Sequence, residues 1–439
     1  MKRAVVVLLL MLLCWGLLEL ASTILFQRLA GVPLDFAKLS ADRQGRLATI
    51  RGVLEEGASS DLGIVPHPYL GYVGRPGAPN RYLVSRDGAT RFNEYGMVAG
   101  ERATYPSEAR PGDFVVGILG GSVAEIFAVR HAETLERQLR EVEPRFDRRV
   151  VLVNLAAGGF KQPQQLFHLE YALLLGFHFD AVVNLDGFND LAFAVENVAK
   201  EMHPVFPSAY HVGTLLEIET RGALAPGAVA ELDRFYAAHR RERLIHEALE
   251  ETPLGWSPFA NLAGVRLARR EIARAGAVRF RSARRGGEGV PAELRGPRRP
   301  WPDDPHRAAA ELWARASRML AAVCAEARVP YLHVLQPNQY VEGSRVFARG
   351  EERVAIRPGH PWGAAARVGY PLLREEGRRL REAGVPFYDM SLVLRDLPQP
   401  VYVDDCCHFG PVGNRILARS LAAVLQRELG DALWEGAAP

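Results

Sequence analysis

Hydrophobic and polar positions follow three regimes along this chain. From Ala4 to Phe26 the residues run apolar for 23 positions with one charge, Glu19. A bilayer span needs roughly 20 such residues. Glu19 would cost about 2.5–3.5 kcal/mol near the middle of a span, which the leucines and valines can offset. Lys2 and Arg3 precede the run, and positive flanks stay cytoplasmic, so the rest of the chain is expected outside. A cleaved signal peptide is the rival reading. No small-residue cleavage site supports it: Ala21 has Glu19 two positions before it, Ala30 has Arg28, and Cys14 follows Leu13. An uncleaved signal anchor over residues 1–27 is the expectation.

The second regime, residues 28–110, has no long apolar run. Residues 27–65 read as a polar, helix-prone stalk. Residues 66–105 are rich in Gly, Pro, Tyr and Asn. There Arg86-Asp87-Gly88-Ala89 supplies a turn between Tyr82-Leu83-Val84 and Thr90-Arg91-Phe92, which predicts a hairpin.

The third regime, residues 111–439, alternates short apolar runs with helical periodicity. Buried strands are predicted at Phe114–Leu119, Arg149–Ala156, Asp180–Leu185, Tyr331–Leu335 and Phe387–Asp389. Helices are predicted at Ala124–Val142, Gln162–Leu175, Ala308–Ala327, Leu372–Ala383 and Gly413–Leu429. Such alternation implies an α/β fold with a parallel sheet covered on both faces. Residues 195–305 interrupt it as a mostly helical insertion, with a helix at Gly227–Leu249. Eleven arginines fall between Arg266 and Arg299, with Trp256, Phe259, Leu262, Val265 and Leu267 before or among the first of them. Two readings stand for this stretch: a solvated insertion in an arginine-biased protein, or contact with a membrane surface or anionic polymer.

Composition narrows the classes. Of 439 residues, 48% are hydrophobic and 24% charged, so a packed core is feasible. A net charge of +3 argues against nucleic acid as a partner. Lysine occurs only at positions 2, 38, 161 and 200. The four cysteines form no obvious framework. A bridge from Cys324 to Cys406 or Cys407 is disfavoured, because a helix leading into a parallel strand ends at the edge away from the strand-end loops. No cysteine–histidine spacing suggests a zinc site, and no cofactor is implied.

The candidate chemistry lies at strand ends. Val115 to Leu119 leads through Gly120-Gly121 to Ser122, where a helix begins. The glycines allow a sharp turn, and a helix N-terminus offers amides to a developing oxyanion. Late in the chain stands Asp404-Asp405-Cys406-Cys407-His408. His408 is the candidate base and Asp405 the acid that orients it, since an i,i+3 spacing on a helical turn puts both side chains on one side. Asp404 competes, but projects about 100° away on such a turn. Between them, Asn154-Leu155-Ala156-Ala157-Gly158-Gly159-Phe160 and Asp186-Gly187-Phe188-Asn189-Asp190 follow the second and third strands. A glycine amide and an asparagine amide are donors that an oxyanion hole needs.

Gly120-Gly121-Ser122, Gly159-Phe160, Gly187-Phe188-Asn189-Asp190 and Asp405-Cys406-Cys407-His408 together resemble the four blocks of the SGNH (GDSL-type) hydrolases. The resemblance covers roughly residues 110–195 and 325–430. It implies a flavodoxin-like three-layer α/β/α fold. Ser122 would be the nucleophile, His408 the base and Asp405 its partner. The oxyanion hole would comprise the Ser122 and Gly159 amides, with Gly158 as an alternative to Gly159, and the Asn189 side chain. Gly121 departs from the aspartate of the name-giving motif. Asn93-Glu94-Tyr95-Gly96 also looks like a segment of membrane-tethered members, several of which act on acyl groups of extracellular polysaccharides. A conventional α/β-hydrolase is a rival, because Gly120 to Ala124 nearly fits its serine elbow. Against it, the serine follows the first strand and the acid stands close to the histidine. The expectation is a membrane-anchored, extracytoplasmic serine esterase or O-acyltransferase acting on an ester-bearing carbohydrate or lipid. The alternative is a catalytically idle polysaccharide-binding or assembly component.

Overall fold

The computed structural model describes residues 2–30, 34–55, 63–85, 88–99, 110–212, 228–285 and 304–430. The chain divides into two compact units, residues 1–61 with 216–288, and residues 62–215 with 289–439.

The larger unit holds a parallel sheet. Its strands follow two small antiparallel pairs: β1 (Ile64–His67) with β2 (Gly71–Gly74), and β3 (Pro79–Ser85) with β4 (Gly88–Arg91). The second pair is the expected hairpin; Arg86 and Asp87 of its turn lie outside the described residues. Then come β5 (Phe114–Gly120), α1 (Ser122–Arg130), α2 (Ala132–Val142), β6 (Val150–Asn154), α3 (Gln164–Leu174), β7 (Ala181–Asp186) and α4 (Phe188–Ala199). After the break the unit resumes with α5 (Pro305–Glu326), β8 (Tyr331–Leu335), α6 (Pro361–Glu382), β9 (Phe387–Asp389) and α7 (Pro411–Leu429).

All residues of β5, β6, β7 and β8 are buried. This is why they read as unbroken apolar runs: both faces are covered by helices. The five strands lie in the order β6-β5-β7-β8-β9, which is 2-1-3-4-5 counted within the sheet, an order of doubly wound sheets. Helices α4, α5 and α6 pack on one another, and α2 packs on α7, giving two groups of covering helices. The single helix expected over 124–142 is broken at His131, where α1 gives way to α2. Phe127, fully buried in α1, is worth about 1.5–3 kcal/mol of burial and anchors that short helix. Helix α5 starts where Asp304 accepts the amides of His306 and Arg307 at 3.0 and 3.1 Å, with Pro305 in its first turn.

The smaller unit is helical. It contains α8 (Lys2–Ala30), α9 (Phe36–Glu55), α10 (Ala228–Glu250), a 3-10 turn (Pro253–Trp256) and α11 (Pro258–Arg285). Helices α10 and α11 pack on each other. Gly264 makes this close, because a Cβ there would stand 2.5 Å from Leu249 Cδ1. The expectation of a stalk is corrected here. Arg43 reaches Glu250 at 2.9 Å and Asn261 at 2.7 Å, and Arg46 reaches Glu242 at 2.6 Å. Ser40, Arg43, Gln44 and Arg46 thus pair with the insertion, while Lys38, Asp42 and Arg51 stay exposed, and the insertion and the N-terminal segments form one unit. Arginines 295, 298 and 299 of the basic stretch lie outside the described residues.

Helix α8 carries the apolar run. Residues Val5–Arg28 are long and apolar enough to cross a membrane.

Candidate active site

In a sheet of this order, the chain leaves the first and third strands in opposite directions, and a crevice opens beyond their carboxyl ends. Here these are β5 and β7, and Ser122 and Asn189 stand just beyond them. Gly120 has φ +143°, and a Cβ on it would lie 2.1 Å from the Leu185 carbonyl oxygen. Only glycine lets β5 turn so close to β7. Gly121 is needed for another reason: its Cβ would stand 2.2 Å from Asn189 Nδ2. The turn therefore delivers Ser122 to the first position of α1 with the Asn189 amide beside it.

Ser122 Oγ lies 2.7 Å from His408 Nε2, and His408 Nδ1 lies 2.5 Å from Asp404 Oδ2. The acid is thus Asp404, and the expectation of Asp405 is corrected. The expectation assumed a helical turn. Residues 404–407 instead form bends in a loop closed by Tyr402 pairing with Phe409. Asp404 opens this loop and caps it: its Oδ1 accepts the amides of Cys406, Cys407 and His408 at 3.0, 3.2 and 3.2 Å. Its other oxygen is thereby aimed at the imidazole. Asp405 turns away, its carboxylate 4.0 Å from Arg357 and its backbone carbonyl accepting the Tyr340 hydroxyl at 2.8 Å.

Burial pushes the Asp404 carboxyl up, but the hydrogen bond and charge of His408 and the capped amides outweigh it, and the net shift is downward. Burial likewise pushes His408 down, and Asp404 overcomes this and raises it. The pair is therefore tuned to stabilise an imidazolium. With Nδ1–H facing Asp404, Nε2 is left to accept the serine proton.

The oxyanion candidates meet at one rim. Asn189 sits in the first turn of α4 and donates from Nδ2 to the Phe160 carbonyl at 2.9 Å. Its second N–H is a further donor. Gly159 has φ +82°, with His211 Cε1 2.1 Å from where its Cβ would be. His211 stacks on Tyr72 at 4.5 Å, and Tyr72 donates to the Gly158 carbonyl at 2.9 Å. The Gly158–Gly159 loop is thus clamped from β2 and from the segment after α4. Burial drops His211 to about 3, so the ring stays neutral.

A further buried carboxyl stands on the serine's helix. Glu125 lies one turn after Ser122 on α1, where its i,i+3 position put it on the serine's face. It accepts Asn80 Nδ2 at 3.2 Å, and burial pushes its carboxyl up to about 7 against the lowering influence of the Gly158 backbone. His408 is close enough for its charge to act on Glu125.

The other residues considered fall outside the centre. His333 is fully buried between Ser317 Oγ at 2.7 Å and Asp186 Oδ1 at 2.9 Å, and Trp313 Nε1 donates to the same carboxylate at 2.6 Å. This second serine–histidine–aspartate set is sealed in the core and pins the end of β7. Tyr370 and Tyr340 are buried as well. Trp362 is half-buried, 5.4 Å from Phe193 and near Glu196. Asn93 Oδ1 accepts the amides of Tyr95 and Met97, so that segment is a tight turn. Cys14, Cys324, Cys406 and Cys407 are free thiols, with Cys406 and Cys407 Sγ 3.7 Å apart. Ligand atoms of Cys406, Cys407 and His408 lie within 4.8 Å of one another, the one group among the described residues placed to hold a metal ion. Its histidine is already shared by Ser122 and Asp404.

Comparison of the chain with protein-family models and with curated proteins gives no match.

Proposed function

We propose that this chain is an SGNH-type serine esterase or O-acyltransferase, tethered to a membrane by α8 and working outside the cytoplasm. The observation that carries the reading is the relay from Ser122 through His408 to Asp404, set just beyond the carboxyl ends of the paired strands β5 and β7. Glycines placed where only glycine fits, and an asparagine amide on the serine turn, add support.

The chemistry follows from the geometry. Ser122 Oγ attacks the ester carbonyl while His408 Nε2 takes its proton. Asp404 holds the imidazolium that forms. The oxyanion is received by the amides of Ser122 and Gly159 and by Asn189 Nδ2, fixed dipoles worth about 3 kcal/mol each to the transition state. Collapse expels the alcohol, which takes the proton from His408, and leaves an acyl-serine. Water then completes hydrolysis, or a sugar hydroxyl completes transfer, by the same steps in reverse. The Lys2–Arg3 flank favours an extracytoplasmic catalytic unit, periplasmic in a Gram-negative cell.

The test is hydrolysis of p-nitrophenyl acetate and longer esters by the full-length protein in detergent, with Ser122→Ala and His408→Ala alongside. Turnover in wild type that vanishes in both variants is the expected result. A well-folded wild type inert towards esters and towards transfer to sugar acceptors would overturn the reading.

A further inference from the structure

Helix α8 is unevenly covered. From Met11 to Leu18 every position is exposed, whereas Glu19, Ser22, Thr23 and Phe26 are covered to some degree. These four share one helix face. What meets that face is the start of α11. Glu19 accepts Ser257 Oγ at 2.5 Å and the Phe259 amide at 2.9 Å, and Trp15 lies edge-on to Phe259 at 6.3 Å. A carboxylate on the N-terminal amides of a helix is well placed, because those donors lack intrahelical partners and carry positive potential. This accounts for how a charge is carried within so apolar a run.

The contact has a geometric consequence. At 1.5 Å per residue the run from Ala4 to Phe26 is about 33 Å long, enough to fill a hydrocarbon core of about 30 Å. Glu19 lies seven residues, about 10 Å, before Phe26. Residues 257–259, bonded to Glu19, are then held below the membrane surface. The local sequence suits that position. From Thr252 to Val265 there are 14 residues without a formal charge. Leu254 is 48%, Trp256 74% and Phe259 37% exposed, and Phe36 joins Trp256 at 5.5 Å. The first arginines of α11 are Arg266, Arg269 and Arg270, all exposed. Arg266 comes about 12 Å along the helix from Pro258, farther than the depth to be covered. Exposed Glu251 bounds the segment on its other side and limits how deep it can go.

We propose that the tip of the helical unit, Pro253 to Val265, is embedded in the lipid leaflet around the C-terminal half of α8, with Arg266, Arg269 and Arg270 at the headgroups. The apolar side chains bury about 5–10 Å into the leaflet, the depth usual for interfacial elements. Tryptophan suits the boundary by its amphipathic ring. The protein then holds its membrane by a helix and a second, non-spanning wedge. This inference rests on α8 lying in the bilayer and not on the proposed catalysis.

The test uses the full chain in vesicles of phosphatidylcholine with bromine on the acyl chains, either near the glycerol end or near the methyl end. Trp15 is removed by Trp15→Phe, and the signal of Trp256 is the difference between that variant and Trp15→Phe/Trp256→Phe. The expected result is loss of more than about half of this difference emission with bromine near the glycerol end, and less with bromine near the methyl end. Leu254→Trp in the doubly substituted background should gain a signal quenched in the same way. Emission of both tryptophans indifferent to bromine, in protein that stays with the vesicles, would overturn the proposal. Release of the protein from the vesicles would overturn it too, by removing α8 from the bilayer.

Discussion

The charged groups of the helical unit and the pair at the sheet's candidate site are used in different ways. In the helical unit they lie along helix flanks and tie one helix to the next: Arg46 to Glu242, Arg43 to Glu250, Glu19 to the start of α11. In the sheet unit the pair His408–Asp404 stands where loops leave the sheet, and one ring nitrogen is left facing a serine. Glu242 is wholly covered, while the His408 and Asp404 side chains keep 22% and 38% of their surface. A covered pair holds structure. A partly open pair with an unspent acceptor can also move a proton.

The largest effect that would break this contrast is on turnover. Ser122→Ala and His408→Ala should each lower kcat for ester hydrolysis by about 10⁴-fold or more, as removal of a nucleophile or its base does. Arg46→Ala, in the other unit, should leave kcat within about twofold. Equal losses from Arg46→Ala in folded protein would show that the contrast is wrong.

A second comparison lies between neighbours in one loop. Asp404→Asn should cost about 10³- to 10⁴-fold in kcat, because an amide no longer holds the imidazole in the required tautomer. Asp405→Asn should stay within about threefold, since that carboxylate faces Arg357 and solvent. Steady-state kinetics on purified variants decides it; the reverse ranking would return the acid's role to Asp405.

In the helical unit the expected damage is to stability. Glu242→Ala leaves Arg46, His239 and His246 facing a lost carboxylate, and breaking such a pair costs about 3 kcal/mol. Urea unfolding followed by far-UV circular dichroism should show this as a lower midpoint, with ester hydrolysis retained under native conditions.

The two units also differed in how far they could be read from sequence. The strands Tyr331–Leu335 and Phe387–Asp389 have the bounds expected from sequence, the first because a strand buried on both faces leaves a nearly continuous apolar run. Ser122, His408 and Asn189 were legible for a related reason: each follows a strand or precedes a helix, and glycines mark the turns. Asp404 was missed because its part depends on the loop's shape. With two aspartates in succession, a helical assumption picks i,i+3, while the capped loop picks i,i+4. Glu125 was missed because nothing in a helix's periodicity says what covers it, and Asn80 and Gly158 come from distant segments. The polar segment 36–55 was misread as a stalk for the same reason. Its partners Glu242, Glu250 and Asn261 lie about two hundred residues away, and a polar face reads as solvated until its partner is known.

The smallest expected effect is a shift along the pH axis, and it sharpens the assignment of the acid. The base must be neutral to accept the serine proton, so kcat/KM should rise with pH through the pKa of His408. Burial lowers that pKa, Asp404 raises it, and the balance is upward. The acidic limb of the wild type should therefore lie above pH 6.5, the ordinary histidine value. In Asp404→Asn the raising contributions of its hydrogen bond and charge are gone and burial remains, so the limb of the residual activity should move towards lower pH. Glu125, at about 7, titrates in the same window and its charge also raises His408; the two groups then share apparent values. Glu125→Gln should shift the limb the same way by less, since Glu125 is the smaller of the two influences. A limb that stays put in Asp404→Asn would mean that another group sets the protonation of the base, and the orienting role of Asp404 would fall with it.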